Sequence, residues 1–129
     1  MRYLVRARPR TGRSRALLGA IFDRSLGWGS IAGGEYLRNM AAARQLDDGT
    51  VRWVQVCYCP RPLEEEISYW EEYFELEQIK DAHNREQCRD TNGSEPWACS
   101  DCDCTERLEE RLDTLGAGFH AELAAGRRE

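Results

Sequence analysis

The sequence predicts an α+β fold in the split order β-α-β-β-α-β, followed by a cysteine-rich, metal-binding extension and a short helix. Three observations support this. Val51-Arg52-Trp53-Val54-Gln55-Val56-Cys57-Tyr58 is a run dense in β-branched and aromatic residues behind an Asp47-Asp48-Gly49-Thr50 hairpin signal. Apolar residues at helical spacing lie on either side of it, at Leu17, Leu18, Ile21 and Phe22 and again at Leu63, Ile67, Trp70 and Phe74. Finally, Cys88, Cys99, Cys102 and Cys104 crowd into seventeen residues that are otherwise polar and turn-forming.

Arg2–Arg8 alternates as a first strand, and Pro9 ends it. Thr11 or Ser14 can cap the helix that follows. Gly27-Trp28-Gly29-Ser30-Ile31-Ala32-Gly33-Gly34 reads as a connector. Its glycine spacing does not match a dinucleotide fingerprint, and no Lys-Ser/Thr follows for a P-loop. The hairpin signal requires a partner for the 51–58 strand, which places a strand over about Arg38–Leu46 despite the helix-favouring Ala41-Ala42-Ala43.

Pro62 suits the first turn of a second helix running to Phe74, with Glu64, Glu65, Glu66, Glu71 and Glu72 as its solvated face. The apolar stripe fails after Phe74, and Glu75–Ala82 is assigned as a fourth strand. Past the cysteines, Asp103 and Glu106 have capping-box spacing ahead of a helix striped by Leu108, Leu112 and Leu115, with Gly116 as its stop. The expected divisions are a core over 1–82, a cysteine lobe and helix over 83–116, and a frayed tail over 117–129.

This element order, with the opening Arg-Tyr-Leu-Val-Arg-Ala, the Asp48-Gly49 hairpin and the Tyr69–Phe74 run, resembles ferredoxin-like proteins and the small dimeric α+β-barrel proteins among them. The resemblance covers about residues 1–82 and rests on order alone. It implies a homodimer formed sheet to sheet. That superfamily includes monooxygenase-like, isomerase-like and non-enzymatic members, so no activity and no catalytic residue carries over.

Composition narrows the function classes. Of 129 residues, 41% are hydrophobic and 32% charged, ordinary for a soluble domain, and no apolar run approaches the roughly 20 residues that span a bilayer. The formal charge of −5 is split: residues 1–61 hold eleven Arg against four acids, and residues 62–129 hold seven bases against nineteen acids. Opposed halves favour self-association, and an acidic total speaks against nucleic-acid binding. The first twenty-two residues are Arg-rich and acid-free like a transit peptide, but the strand beginning at Arg2 argues against one. With no secretory h-region the chain is expected to be cytoplasmic and its six cysteines reduced, and Asn92-Gly93-Ser94 is then a turn and not a glycosylation site.

Reduced, clustered cysteines in a segment too polar to build a core point to a metal, whose binding free energy becomes folding free energy. Cys88, Cys99, Cys102 and Cys104 form C-x10-C-x2-C-x-C, and Cys104 falls at a helix N-terminus that favours the thiolate. Cys57 and Cys59 form a separate C-x-C. They are read as core cysteines, as further ligands, or as a redox or metal-transfer dithiol. His83 is a further possible ligand, or an acid–base residue beside Asp81, and Trp97 is expected to pack over the metal loop.

Zinc is the expected metal, with an iron–sulfur cluster or copper(I) as alternatives that the same thiolates would hold. Three functions follow from these readings. The first is a zinc-binding accessory module. The second is a thiolate-based soft-metal or iron–sulfur redox protein. The third is a small α+β-barrel enzyme with a structural zinc, its pocket lined by His83, Asp81 or the Arg-rich first strand.

Overall fold

A computed structural model describes residues 2–83 and 104–126. These residues form a mixed α+β fold with one five-stranded antiparallel sheet and five helices. In chain order they are β1 (Arg2–Pro9), α1 (Ser14–Phe22), α2 (Glu35–Ala42), β2 (Arg44–Gln45), β3 (Val51–Val56), α3 (Ile67–Trp70), β4 (Phe74–His83), α4 (Cys104–Leu112), β5 (Ala117–Gly118) and α5 (Phe119–Ala124). The sheet order is β4-β1-β3-β2-β5.

Side chains alternate across a strand, so the sheet has two distinct faces. Tyr3, Val5 and Ala7 of β1 and Val51 and Trp53 of β3 point into a core shared with Leu17, Tyr36, Met40, Trp70 and Phe74. Aromatic rings dominate it: Trp53 and Trp70 have centroids 4.6 Å apart, and Trp70 lies 4.9 Å from Tyr36. Both indoles are fully buried, and both donate to Gln55 Oε1, Trp53 at 3.0 Å and Trp70 at 3.1 Å. The other face carries Leu4 and Val54, against which Leu108 and Leu112 of α4 are set.

The Asp48-Gly49 hairpin forms as the sequence predicts. Asp48 Oδ1 accepts from the Thr50 amide at 2.9 Å and the Thr50 hydroxyl at 2.6 Å, which closes the turn locally. The strand expected over Arg38–Leu46, however, shrinks to Arg44–Gln45, because residues 35–42 form a helix. On β3, therefore, β2 reaches Val51 and Arg52 alone, and the rest of that β3 edge is served by side chains of α2. Asn39 Nδ2 donates to the Val54 carbonyl at 2.9 Å, and the Val56 amide donates to Glu35 Oε2 at 3.0 Å. A helix that satisfies a strand edge removes the need for a longer strand there.

Other expectations are corrected. Neither Thr11 nor Ser14 caps α1, whose N-cap is Arg13 without a side-chain bond, and Phe22 is 86% exposed. The helix expected from Pro62 to Phe74 is reduced to Ile67–Trp70, since Leu63 adopts φ 55° and breaks the turn before it. Leu63, Trp70 and Phe74 are nonetheless buried as their spacing implied. Glu75–Ala82 is a strand, within Phe74–His83. α4 ends at Leu112, with Leu115 exposed. The tail expected to fray over 117–129 instead supplies β5 and α5 through residue 124, and Phe119 and Leu123 enter the core. Phe119 completes the aromatic cluster, 5.8 Å from Phe74.

Candidate metal centre

The site is built where β3 runs out. Cys57 follows the last residue of the strand and turns its side chain into the core, with 2% of its surface exposed. Cys59, half-buried, lies beyond the turn, and its amide donates to Cys57 Sγ at 3.3 Å. Pro60 holds Cys59 extended. The chain then loops through Leu63, whose positive φ swings residues 64–66 back over the strand end. This return brings Glu66 into the cluster, 3% exposed, with Oε1 3.5 Å from Cys57 Sγ and 3.6 Å from Cys59 Sγ. The three ligand atoms lie within 4.8 Å of one another.

The neighbouring segment 27–34 forms one wall and is pinned there by Glu65. Ser30 Oγ donates to Glu65 Oε1 at 2.6 Å, and the Ile31 amide donates to Glu65 Oε2 at 3.1 Å. Gly27 permits the approach: it has φ 73°, and a β-carbon there would overlap the Tyr36 ring. The result is a cleft of about 460 Å³ lined by Ile31, Ala32, Tyr58 and Pro60 together with Cys57, Cys59 and Glu66.

Burial above all sets the state of the Cys57 thiol. Burial pushes the Cys57 thiol up to about 12, against the pull of backbone amide donation from Cys59. The nearby Glu66 carboxylate raises it further. Without a cation Cys57 is therefore a protonated thiol at neutral pH. Amides already aimed at its sulfur would stabilise the thiolate once a positive ion displaces the proton. Tyr3, on the adjacent strand, is raised by burial and then by the charges of Asp81, Cys57 and Cys59.

The residues singled out from the sequence are distributed unevenly. Cys57 and Cys59 come together, and the partner they meet is Glu66, which the sequence reading placed on a solvated acidic face. A signal for Glu66 was present: it lies three residues after Leu63 and four before Trp70, in phase with the apolar stripe and not with Glu64. Cys104 is buried at the start of α4, where Arg107 Nη2 donates to its sulfur at 3.0 Å. Cys88, Cys99, Cys102 and Trp97 lie outside the described residues, as does Asp103, the expected cap of α4. His83 is the last residue of β4, its backbone opposite Arg2. Asp81 is exposed on β4 and is not among the residues lining the cleft. No helix among the described residues is long and apolar enough to cross a membrane.

Comparison of the chain with protein-family models, with curated proteins and with solved structures finds no match.

Proposed function

We propose that this chain is a small metal-binding α+β module, that zinc is its ion, and that Cys57, Cys59 and Glu66 hold it. One observation carries the reading: two sulfurs from the end of β3 and a carboxylate from beyond the Leu63 turn converge within 4.8 Å beside a cleft. The donor set favours zinc over the alternatives. Copper(I) and iron–sulfur clusters are matched by all-sulfur ligation, whereas zinc takes thiolate and carboxylate together. Three protein ligands leave a fourth position, which the cleft would make accessible to water or a small ligand.

The ferredoxin-like assignment belongs to the same proposal. Its support is the order of β1, β2, β3 and β4 along the chain and their 4-1-3-2 arrangement in the sheet, with α2, β5 and α5 as additions. The Cys88, Cys99, Cys102 and Cys104 group remains a second candidate ligand set, separable from the first by mutation.

The test is elemental analysis of protein purified without oxygen. Cys57→Ser, Cys59→Ser and Glu66→Gln should each lower the zinc content, whereas Cys102→Ser reports on the other group alone. Full zinc occupancy in both Cys57→Ser and Glu66→Gln would remove the metal from this cleft. Cobalt substitution adds a spectroscopic readout, because thiolate-to-cobalt charge transfer should weaken with each cysteine lost.

A redox dithiol is the second reading, favoured by the closeness of both thiols to one carboxylate that can accept a proton. It predicts a Cys57–Cys59 disulfide in oxidised protein, detectable by mass spectrometry as a loss of two hydrogens.

A further inference from the structure

Among the described residues, α4 covers only half of the sheet face opposite the aromatic core. α4 lies over Leu4 and Val54. The other half presents a row of like charges: in the strand register Arg6 of β1 sits opposite Arg52 of β3, and Arg52 opposite Arg44 of β2. Like charges directly across a strand pair are destabilising unless something compensates them. Compensation within the described residues is partial. Glu77 is shared between Arg6, at 3.4 Å, and Arg8, at 3.1 Å. Arg44 donates to the carbonyls of Leu115 and Gly116. Arg6 Nε meets Glu77 only as an ion pair, and the buried Nε of Arg52 has no hydrogen-bond partner among the described residues, although the charge of Asp48 acts on Arg52.

The helix beside this row has the opposite character. Leu108 and Leu112 turn toward the sheet, so the outward side of α4 is the one carrying Glu106 and Glu110, continued by Asp113 in the turn just past its end, all exposed. They fall at i, i+4 and i+7 and form one acidic stripe about 10 Å long, at 1.5 Å rise per residue. This one face of the protein therefore consists of a raised acidic ridge beside a recessed basic floor. Exposed Leu115 lines the apolar groove between α4 and the sheet.

A surface made of complementary halves fits a second copy of itself. A two-fold axis places residue i on j and j on i, so each ridge would meet the other copy's floor in both shape and charge. We propose that the chain forms a two-fold homodimer through this face, with α4 of each copy laid over Arg6 and Arg52 of the other. The contact differs from a plain sheet-on-sheet pairing, which the position of α4 would obstruct. It is independent of the metal.

Sedimentation velocity on the full chain tests this. Wild-type protein should be dimeric and should dissociate as salt is raised. Arg52→Glu and Glu110→Arg should each weaken the dimer by at least about tenfold, because each reverses two contacts in a symmetric pair. An equimolar mixture of these two variants should recover a heterodimer, since both of its contacts are again attractive, and the double variant should recover a homodimer. Circular dichroism of each variant matching wild type excludes misfolding. Arg52→Gln, which removes charge without reversing it, should give an intermediate loss. A monomeric wild type, single variants that stay dimeric, or a mixture that stays monomeric would each overturn the proposal. A monomer that instead binds a single-stranded oligonucleotide through Arg52 would overturn it in favour of a nucleic-acid surface.

Discussion

Two carboxylates border the same cleft and live in opposite circumstances. Glu35 is saturated: it accepts from Arg38 Nη2 at 2.8 Å and Nε at 3.1 Å, from Asn39 Nδ2 at 3.0 Å and from the Val56 amide at 3.0 Å. Glu66 is better hidden still, but the side chains that face its carboxylate are two thiols, which are weak donors. A carboxylate that has spent its lone pairs on a guanidinium and two amides is part of the frame, and one facing sulfur has capacity left for a cation. Burial alone does not separate structure from site. The partners do.

The sharpest way to break this contrast is to remove each carboxylate in turn. Glu35→Ala should destabilise the fold by about 3 kcal/mol, because it orphans Arg38, Asn39 and the Val56 amide together. Chemical denaturation reads this directly, and a loss below about 1 kcal/mol would mean that water replaces the carboxylate at no cost. Glu66→Gln should leave stability of the metal-free protein within about 1 kcal/mol of wild type while weakening zinc binding about tenfold or more. Calorimetric titration with zinc distinguishes the two variants, and equal behaviour would dissolve the contrast.

A smaller effect concerns the wall of the cleft. Gly27→Ala should cost about 2 kcal/mol through strain at φ 73° and overlap with Tyr36, and should lower zinc affinity only by displacing Ile31 and Ala32. The pH dependence sharpens the assignment of Cys57. Its folded thiol keeps its proton to higher pH than the unfolded thiol, near 9.0, so the metal-free protein holds this contribution at neutral pH. It loses it as pH rises from about 9 toward 12. Cys57→Ala should flatten that alkaline decline in thermal melts. Zinc affinity should move the other way and rise with pH, because binding must release the proton. The smallest expected change is in the hairpin, where Asp48→Ala removes two short bonds at an exposed turn and should cost about 1 kcal/mol.

Much of the frame was legible because it is encoded over a few residues. Asp48-Gly49 makes its own turn, Val51–Val56 is β-branched at close intervals, and the failure of the apolar stripe after Phe74 marks where β4 takes over. The site was legible only in part. Cys57 and Cys59 are neighbours in sequence and stay neighbours in space, but Glu66 joins them only because Leu63 reverses the chain between.

By itself the sequence determined the three long strands β1, β3 and β4, where the hairpin turns, and that Leu63, Trp70 and Phe74 must be buried, since these depend on backbone preference and apolar spacing. Tertiary structure alone decided that residues 35–42 are helical, that Glu66 is a partner of thiols, and that Phe119 seals the aromatic core. The physical reason is common to all three. Each outcome depends on what another element supplies: an open β3 edge for Glu35 and Asn39, a pair of sulfurs across the Leu63 turn for Glu66, the Phe74 ring for Phe119.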